Sequence, residues 1–309
     1  MMKKDKYQVR VQSLHWECEG VISIVLVPLE GELPEADAGA HIDVIQADAP
    51  TRQYSLTAGS SNQQYVLGVR LDPNSRGGSL AIHNTWRPGS MVTISSPRNA
   101  FPLVENGPVH LIAGGIGITP ILMMAHVLST TEREWSLSYY VRSRKDAPFL
   151  KEVEDLGGKI CCNDVDGRPD LAQDIQAYSS TTHLYCCGPA SMLDAFIEVC
   201  RDRPSEFVHI ERFAAPQVQV GAGAFVVELR QSAQTFVVPA DQSILETLLS
   251  AGMSPNHNCC SGICGECEVT VLEGEVDHQD GILSDDEKAS GVMLLCCSRS
   301  KTDKLVLDL

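Results

Sequence analysis

Cys259, Cys264 and Cys267 constrain this chain more than any other stretch, because three thiols within nine residues must share one tight loop. Four residues separate the first pair and two the second. With this C-x4-C-x2-C spacing, one loop can supply three thiolates to a pair of bridged irons while a fourth returns from a distant strand. Gly262 and Gly265 stand beside these cysteines, where a side chain would block backbone N–H groups from turning toward sulfur. A structural zinc site would pair two C-x2-C knuckles, or one knuckle with histidines, and no second knuckle is present. Cys260 flanks Cys259, but only Cys259 gives the four-residue gap. The fourth thiol comes from the adjacent pair Cys296 and Cys297, between which spacing does not choose.

At 309 residues the chain is too long for one ordinary core and suits two or three domains. Its net charge of −16 argues against a nucleic-acid partner, since little here would displace counterions from phosphates. The acidity is concentrated: residues 224–309 carry 14 acidic against 5 basic residues, a net of −9, which suits either solubility or docking on a basic partner. The start, MMKKDKYQVR, lacks an apolar stretch behind its charges, and no 18-residue apolar run occurs. A cytoplasmic protein that does not cross a membrane is expected. Cys18, Cys161, Cys162, Cys186, Cys187 and Cys200 then read as buried apolar residues and not as disulfides.

Residues 1–104 alternate short β-branched runs with Gly, Pro and Asn turns, which predicts a small antiparallel β-barrel. Arg52, Gln53, Tyr54 and Ser55 place a guanidinium, a phenol and a hydroxyl on one short strand, suited to a flat ring system and its anion. Arg76, Gly77, Gly78 and Ser79 precede a short helical pattern, a phosphate cradle of unblocked N–H groups at a positive dipole end. Each of these loops alone is also an ordinary strand or turn.

Near residue 105 the pattern changes to strands alternating with helices, predicting a doubly wound α/β domain over 105–213 with five parallel strands. The apolar strand Val109 to Ala113 runs into Gly114, Gly115, Gly117, Thr119 and Pro120 and then a helix, the geometry that seats a pyrophosphate on a helix N-terminus. Cys187, Gly188 and Pro189 follow what reads as the fifth strand, at the carboxyl edge where open α/β sheets bind ligands. Arg142 and Arg144 close the second strand; composition there leans to a 2′-phosphate or is neutral. Residues 214–224 read as a linker, and 225–309 as a compact α+β domain with strands wrapped round one helix.

With these motifs in place, the chain resembles the phthalate dioxygenase reductase-type family, the reductase components of two-component Rieske oxygenases. The likeness covers nearly the whole length in one order: Arg52 to Ser55, Arg76 to Ser79, Gly114 to Pro120, Tyr185 to Pro189, the cysteine loop and the ending from Cys296 to Leu309. It implies an FMN-binding barrel, an NADH-binding middle domain and a β-grasp ferredoxin domain with a plant-type 2Fe-2S cluster. By match, Arg52, Arg76 and Ser79 would hold the FMN phosphate, Tyr54 and Ser55 would contact the isoalloxazine, and Thr119 and Cys187 would border the nicotinamide. Phe213 would shield the flavin, and Cys296 would be the fourth cluster ligand. The family implies NADH over NADPH, and a separate Rieske-type oxygenase as partner to a monomeric reductase. Two other readings fit the cofactor motifs: a general diaphorase acting on ferredoxin-type acceptors, and a nucleotide-binding redox sensor that uses its cysteines as a switch.

Overall fold

The structure is a computed structural model that describes residues 6–46, 51–72, 77–167, 170–213, 223–240, 242–257, 262, 265–280 and 282–309. It divides into two compact units, Met1–Glu211 and Arg212–Leu309. Arg76, Cys259, Cys260, Cys264 and most of the expected linker lie outside the described residues.

The first unit begins with a six-stranded antiparallel sheet of β1 (Lys6–Cys18), β2 (Val21–Pro28), β3 (His41–Ile45), β4 (Arg52–Ser55), β5 (Tyr65–Arg70) and β6 (Met91–Ser95). Its order is β4-β3-β6-β1-β2-β5, and a bridge between Leu56 and Leu67 joins the two outer strands, so the sheet curls into a barrel. Alternation does the work along these strands: Val9 and Val11 on β1 and Ile24 and Leu26 on β2 are wholly buried, while Arg10 and Gln12 between and beside the valines are exposed. Helix α1 (Gly78–Thr85) follows β5 and buries Ile82 on the barrel.

Five parallel strands continue the unit: β7 (Val109–Gly114), β8 (Trp135–Val141), β9 (Lys159–Cys162), β10 (His183–Cys187) and β11 (Val208–Glu211), in the order β11-β10-β7-β8-β9. Helices α2 (Ile118–Ser129), α3 (Leu150–Asp155), α4 (Asn163–Asp166), α5 (Leu171–Gln176) and α6 (Ala190–Val199) connect them. Every residue of β7 is buried, as the central strand of a sheet covered on both faces must be. Cys187 closes the fourth of these strands and not the fifth. The expected count of five is completed by β11, a four-residue strand whose half-buried pattern carries little apolar signal. One core runs from Val9 of the barrel to Cys187 of the parallel sheet, so the two sheets share their apolar interior.

The second unit is a mixed sheet of β12 (Phe225–Leu229), β13 (Gln234–Val238), β14 (Glu268–Glu273), β16 (Val292–Leu294) and β18 (Lys304–Leu307), in the order β13-β12-β18-β14-β16. A small pair, β15 (Val276–Asp277) and β17 (Arg299–Ser300), lies beside it. Helix α7 (Ile244–Ser250) buries Ile244, Leu245 and Leu248 and starts with a capping box in which Ser243 and Glu246 satisfy each other's backbone donors. Helix α8 (Asp285–Ala289) has the same device between Ser284 and Glu287. Arg299 is 1% exposed, donates to the carbonyls of Gln242 and Pro239, and lies over the ring of Phe225 at 5.1 Å.

Candidate functional site

The barrel brings together the strand and the helix start singled out in the sequence. Gly77 caps α1 with φ 111°, a conformation that suits glycine, and no side chain of the described residues caps the helix. A Cβ on Gly78 would lie 2.5 Å from Cγ of Arg52, so the arginine of β4 lies directly against this helix start. Ser79 is buried and its hydroxyl accepts from the N–H of Asp72 at 3.2 Å. Next in β4, the amide nitrogen of Gln53 is buried with no hydrogen-bond partner among the described residues, on the strand face opposite Arg52 and Tyr54. Burial pushes the Tyr54 phenol up to about 12, against a smaller lowering by Arg52, so its O–H remains a donor at any physiological pH. Ser55 is 6% exposed and pairs with His41 across β3. A helix start led by a left-handed glycine, with a guanidinium packed against it, fits a flavin that ends in a phosphate.

A cleft of about 560 Å³ opens at the carboxyl edge of the parallel sheet. The edge is a topological switch point, because β7 has β8 on one side and β10 on the other and the chain reverses direction of winding there. Its walls include Gly114, Gly115, Tyr140, Arg142, Pro189 and Met192. Helices α2 and α6 both begin here without a side-chain cap, behind Gly117 and Pro189. The two loops press together: a Cβ on Gly117 would sit 2.3 Å from the carbonyl oxygen of Cys187, and one on Gly114 would sit 3.3 Å from Cα of Gly188. Pro120 is the third residue of α2, where its missing N–H is one of the unpaired donors of any helix start. The hydroxyl of Tyr139 lies 3.0 Å from the carbonyls of Gly115 and Pro148 and props the glycine turn from below. Thr119 is 2% exposed; its hydroxyl donates to Ile116 O, and its methyl is 2.6 Å from the ideal Cβ position of Gly68 on β5, so the turn touches the barrel. Two helix starts without a side-chain cap fit a dinucleotide pyrophosphate, although the first N–H of α2, that of Ile118, already donates to Gly115 O within the glycine turn.

Cys187 is 1% exposed and is not among the residues lining the cleft; its thiol is 3.9 Å from the carboxyl of Glu211 on the neighbouring strand end. Burial first, and then Glu211, push the Cys187 thiol well above its ordinary value, so it is a neutral packing group and not a thiolate. Glu211 was not singled out from the sequence. Burial pushes its carboxyl up to about 8, with the Cys187 contact opposing, which favours the neutral acid at this position. Its signal in the sequence was an acidic residue ending a β-branched run, Glu211 after Val208 and Ile210, but the strand it closes was too weakly patterned to locate. Phe213 follows two residues later and is 40% exposed.

In the second unit Cys267 precedes β14 and Cys296 follows β16, antiparallel neighbours, and both are buried. Leu295 N–H donates to Cys267 O at 3.1 Å, holding the two cysteine-bearing segments side by side. The N–H of Gly262 donates to Sγ of Cys296 at 3.1 Å, so the cysteine loop already turns a backbone donor toward this sulfur. Cys297 is 1% exposed and buried in the apolar core of the unit. The other six cysteines are buried and none is in a disulfide.

Residues 227–301 match the family of 2Fe-2S iron-sulfur cluster binding domains. Over 97% of its length, and 97% of the relative's, the chain is 40% identical to the phenoxybenzoate dioxygenase subunit beta of Ectopseudomonas oleovorans. It superposes on a structure titled phthalate dioxygenase reductase, a modular structure for electron transfer from pyridine nucleotides to [2Fe-2S], with TM-score 0.76, 34% identity and 98% coverage of both chains. A type IV self-sufficient cytochrome P450 monooxygenase matches with TM-score 0.79 and 35% identity over 98% of this chain, which spans 41% of that longer one.

Proposed function

The chain belongs to the phthalate dioxygenase reductase-type family, and from that membership together with its pockets we propose that it is a reductase that takes electrons from NADH and delivers them to a separate Rieske-type oxygenase. The observation that carries the reading is the presence, in one chain, of a dinucleotide cleft at the switch point of a parallel sheet and a cysteine loop whose Gly262 N–H is turned onto Cys296. A flavin accepts two electrons with a hydride and releases them singly, and a 2Fe-2S cluster carries one at a time, which is the chemistry that connects the two pockets.

The chain's own residues bind and orient. Arg52, with the α1 N-terminus at Gly77 to Ser79, would hold the FMN phosphate, and Arg76 is assigned to it by family match; Tyr54 and Ser55 would meet the ring system. Gly114, Gly115 and Gly117 with Gly188 and Pro189 would let the NADH pyrophosphate approach the starts of α2 and α6. Thr119, packed against Gly68 of the barrel, and Cys187, packed against Gly117, would fix how close the nicotinamide comes, and Phe213 is assigned by family match to the flavin face. No side chain needs to move a proton for a hydride to pass, so these residues act through placement. In the second unit Cys259, Cys264, Cys267 and Cys296 would hold the irons, with the Gly262 N–H donating to the Cys296 sulfur.

The reading includes an oxygenase with a basic docking face, complementary to the net charge of −9 in residues 224–309, and a monomeric cytoplasmic reductase; the cysteines among the described residues are unbridged. No helix among the described residues is long and apolar enough to cross a membrane. The test is direct. Purified protein should be brown-yellow, release FMN on acid extraction, and reduce cytochrome c with NADH. A colourless protein, or one releasing stoichiometric FAD, would overturn the assignment.

A further inference from the structure

Outside the cleft, a carboxylate whose side chain is 9% exposed gathers groups from several strands. Asp174 sits on α5, a helix of six residues that buries Ile175 in the core beside Ile112 and Leu184 and packs Leu171 against it. Its carboxylate accepts from the Tyr140 hydroxyl at 2.6 Å, from His110 Nε2 at 3.4 Å, and from Lys159 at 3.3 Å. His110 is wholly buried, meets Ser136 Oγ at 2.8 Å through Nδ1 and stacks on Tyr178 at 4.0 Å. One carboxylate therefore ties α5 to three adjacent strands, β7, β8 and β9. Burial alone would raise this carboxyl, but the hydrogen bonds from His110, Tyr140 and Ser138 outweigh it and hold Asp174 below the usual carboxylate range.

Of these groups, only Tyr140 also lines the cleft, in company with Leu171, the first residue of α5, and Asn163 beyond β9. The other end of the cleft is the glycine turn whose Thr119 touches β5 of the barrel, the side on which the nicotinamide would meet the flavin. The end walled by Tyr140 and Leu171 is then left for the adenosine half. We propose that Asp174 is a positioning residue for NADH: by holding the Tyr140 hydroxyl and the start of α5, it sets the wall against which the adenosine half of the dinucleotide rests. This rests on the NADH reading given above, and it adds a determinant of dinucleotide binding that touches neither the nicotinamide nor the flavin.

The test compares NADH with reduced nicotinamide mononucleotide, which carries the same hydride and lacks the adenosine half. Asp174→Ala and Tyr140→Phe are assayed for flavin reduction beside the parent protein, with flavin content and Tm recorded. The expected result for both variants is a KM for NADH raised about tenfold, kcat within about twofold, and an unchanged kcat/KM for the mononucleotide. Should Asp174→Ala fail to fold, the near-isosteric Tyr140→Phe decides alone. A KM for NADH that stays at the parent value, or one that rises equally for both donors, overturns the inference. A parent protein that oxidises neither donor overturns the function and this inference together, whereas an active parent with unresponsive variants overturns this inference only.

Discussion

Gly117→Ala offers the sharpest test of how the nucleotide loops are built. At φ −61° and ψ −6° the backbone of Gly117 is one that alanine adopts without strain. On conformational grounds alone the substitution would stabilise the fold by about 0.4–1 kcal/mol. Packing opposes this, because the new Cβ would lie 2.3 Å from the carbonyl oxygen of Cys187, 2.5 Å from its carbon and 2.8 Å from the nitrogen of Gly188. These are backbone atoms at a strand end and cannot rotate away, so one loop must retreat by roughly 1 Å, at an overpacking cost of about 1–3 kcal/mol. The packing term is the larger, and net destabilisation of about 1–2 kcal/mol should lower Tm by several degrees. A retreat of that size between the loop bearing Thr119 and the strand end bearing Cys187 should also slow reduction of the flavin by NADH, by about 10²-fold, with flavin content unchanged. Stopped-flow absorbance and a thermal melt measure both. Gly157→Ala is the control: it has nothing within 4 Å but a φ of +74°, so it should cost about 1 kcal/mol in stability and leave the rate alone. A Gly117→Ala protein with parental rate and Tm would show that the two loops are not in the contact described.

Cys296→Ser should abolish the visible absorption of the iron-sulfur centre while Cys297→Ser retains it, since the loop donor Gly262 is turned to Cys296; the opposite pattern in purified variants would reverse the ligand assignment. Arg52→Ala removes the guanidinium packed at the α1 start and should weaken FMN retention by about 10–100-fold in an ultrafiltration assay, and equal retention would remove Arg52 from the phosphate pocket. Glu211 has a folded-state value raised from 4.5 to about 8, so its contribution to stability is present in full below about 4.5 and is lost as pH rises through 8. Glu211→Gln should therefore gain stability relative to the parent between about pH 5 and pH 9 in denaturant titrations, by no more than about 4 kcal/mol, and a pH-independent difference would contradict the buried environment.

The sequence by itself determined those features whose physics is local. The spacing of Cys259, Cys264 and Cys267 limits what a single loop can ligate, and the glycines from Gly114 to Gly117 between an apolar strand and an apolar helix announce an uncapped helix start. The β-branched runs between turns in residues 1–104 were likewise legible, because strand propensity and turn chemistry are carried by neighbouring residues. Tertiary structure decided what depends on residues distant in the chain. The sequence could not show that Arg52 would lie on Gly78, that Gly117 would abut Cys187, or that Glu211 would close a fifth strand beside the Cys187 thiol. A four-residue strand such as β11 is stabilised by its neighbour β10 and not by its own pattern, which is why it escaped reading and took Glu211 with it. Asp174, exposed by composition and buried by packing, is the same case: its charge is tolerated only because His110, Tyr140 and Lys159 arrive from three separate strands to bind it.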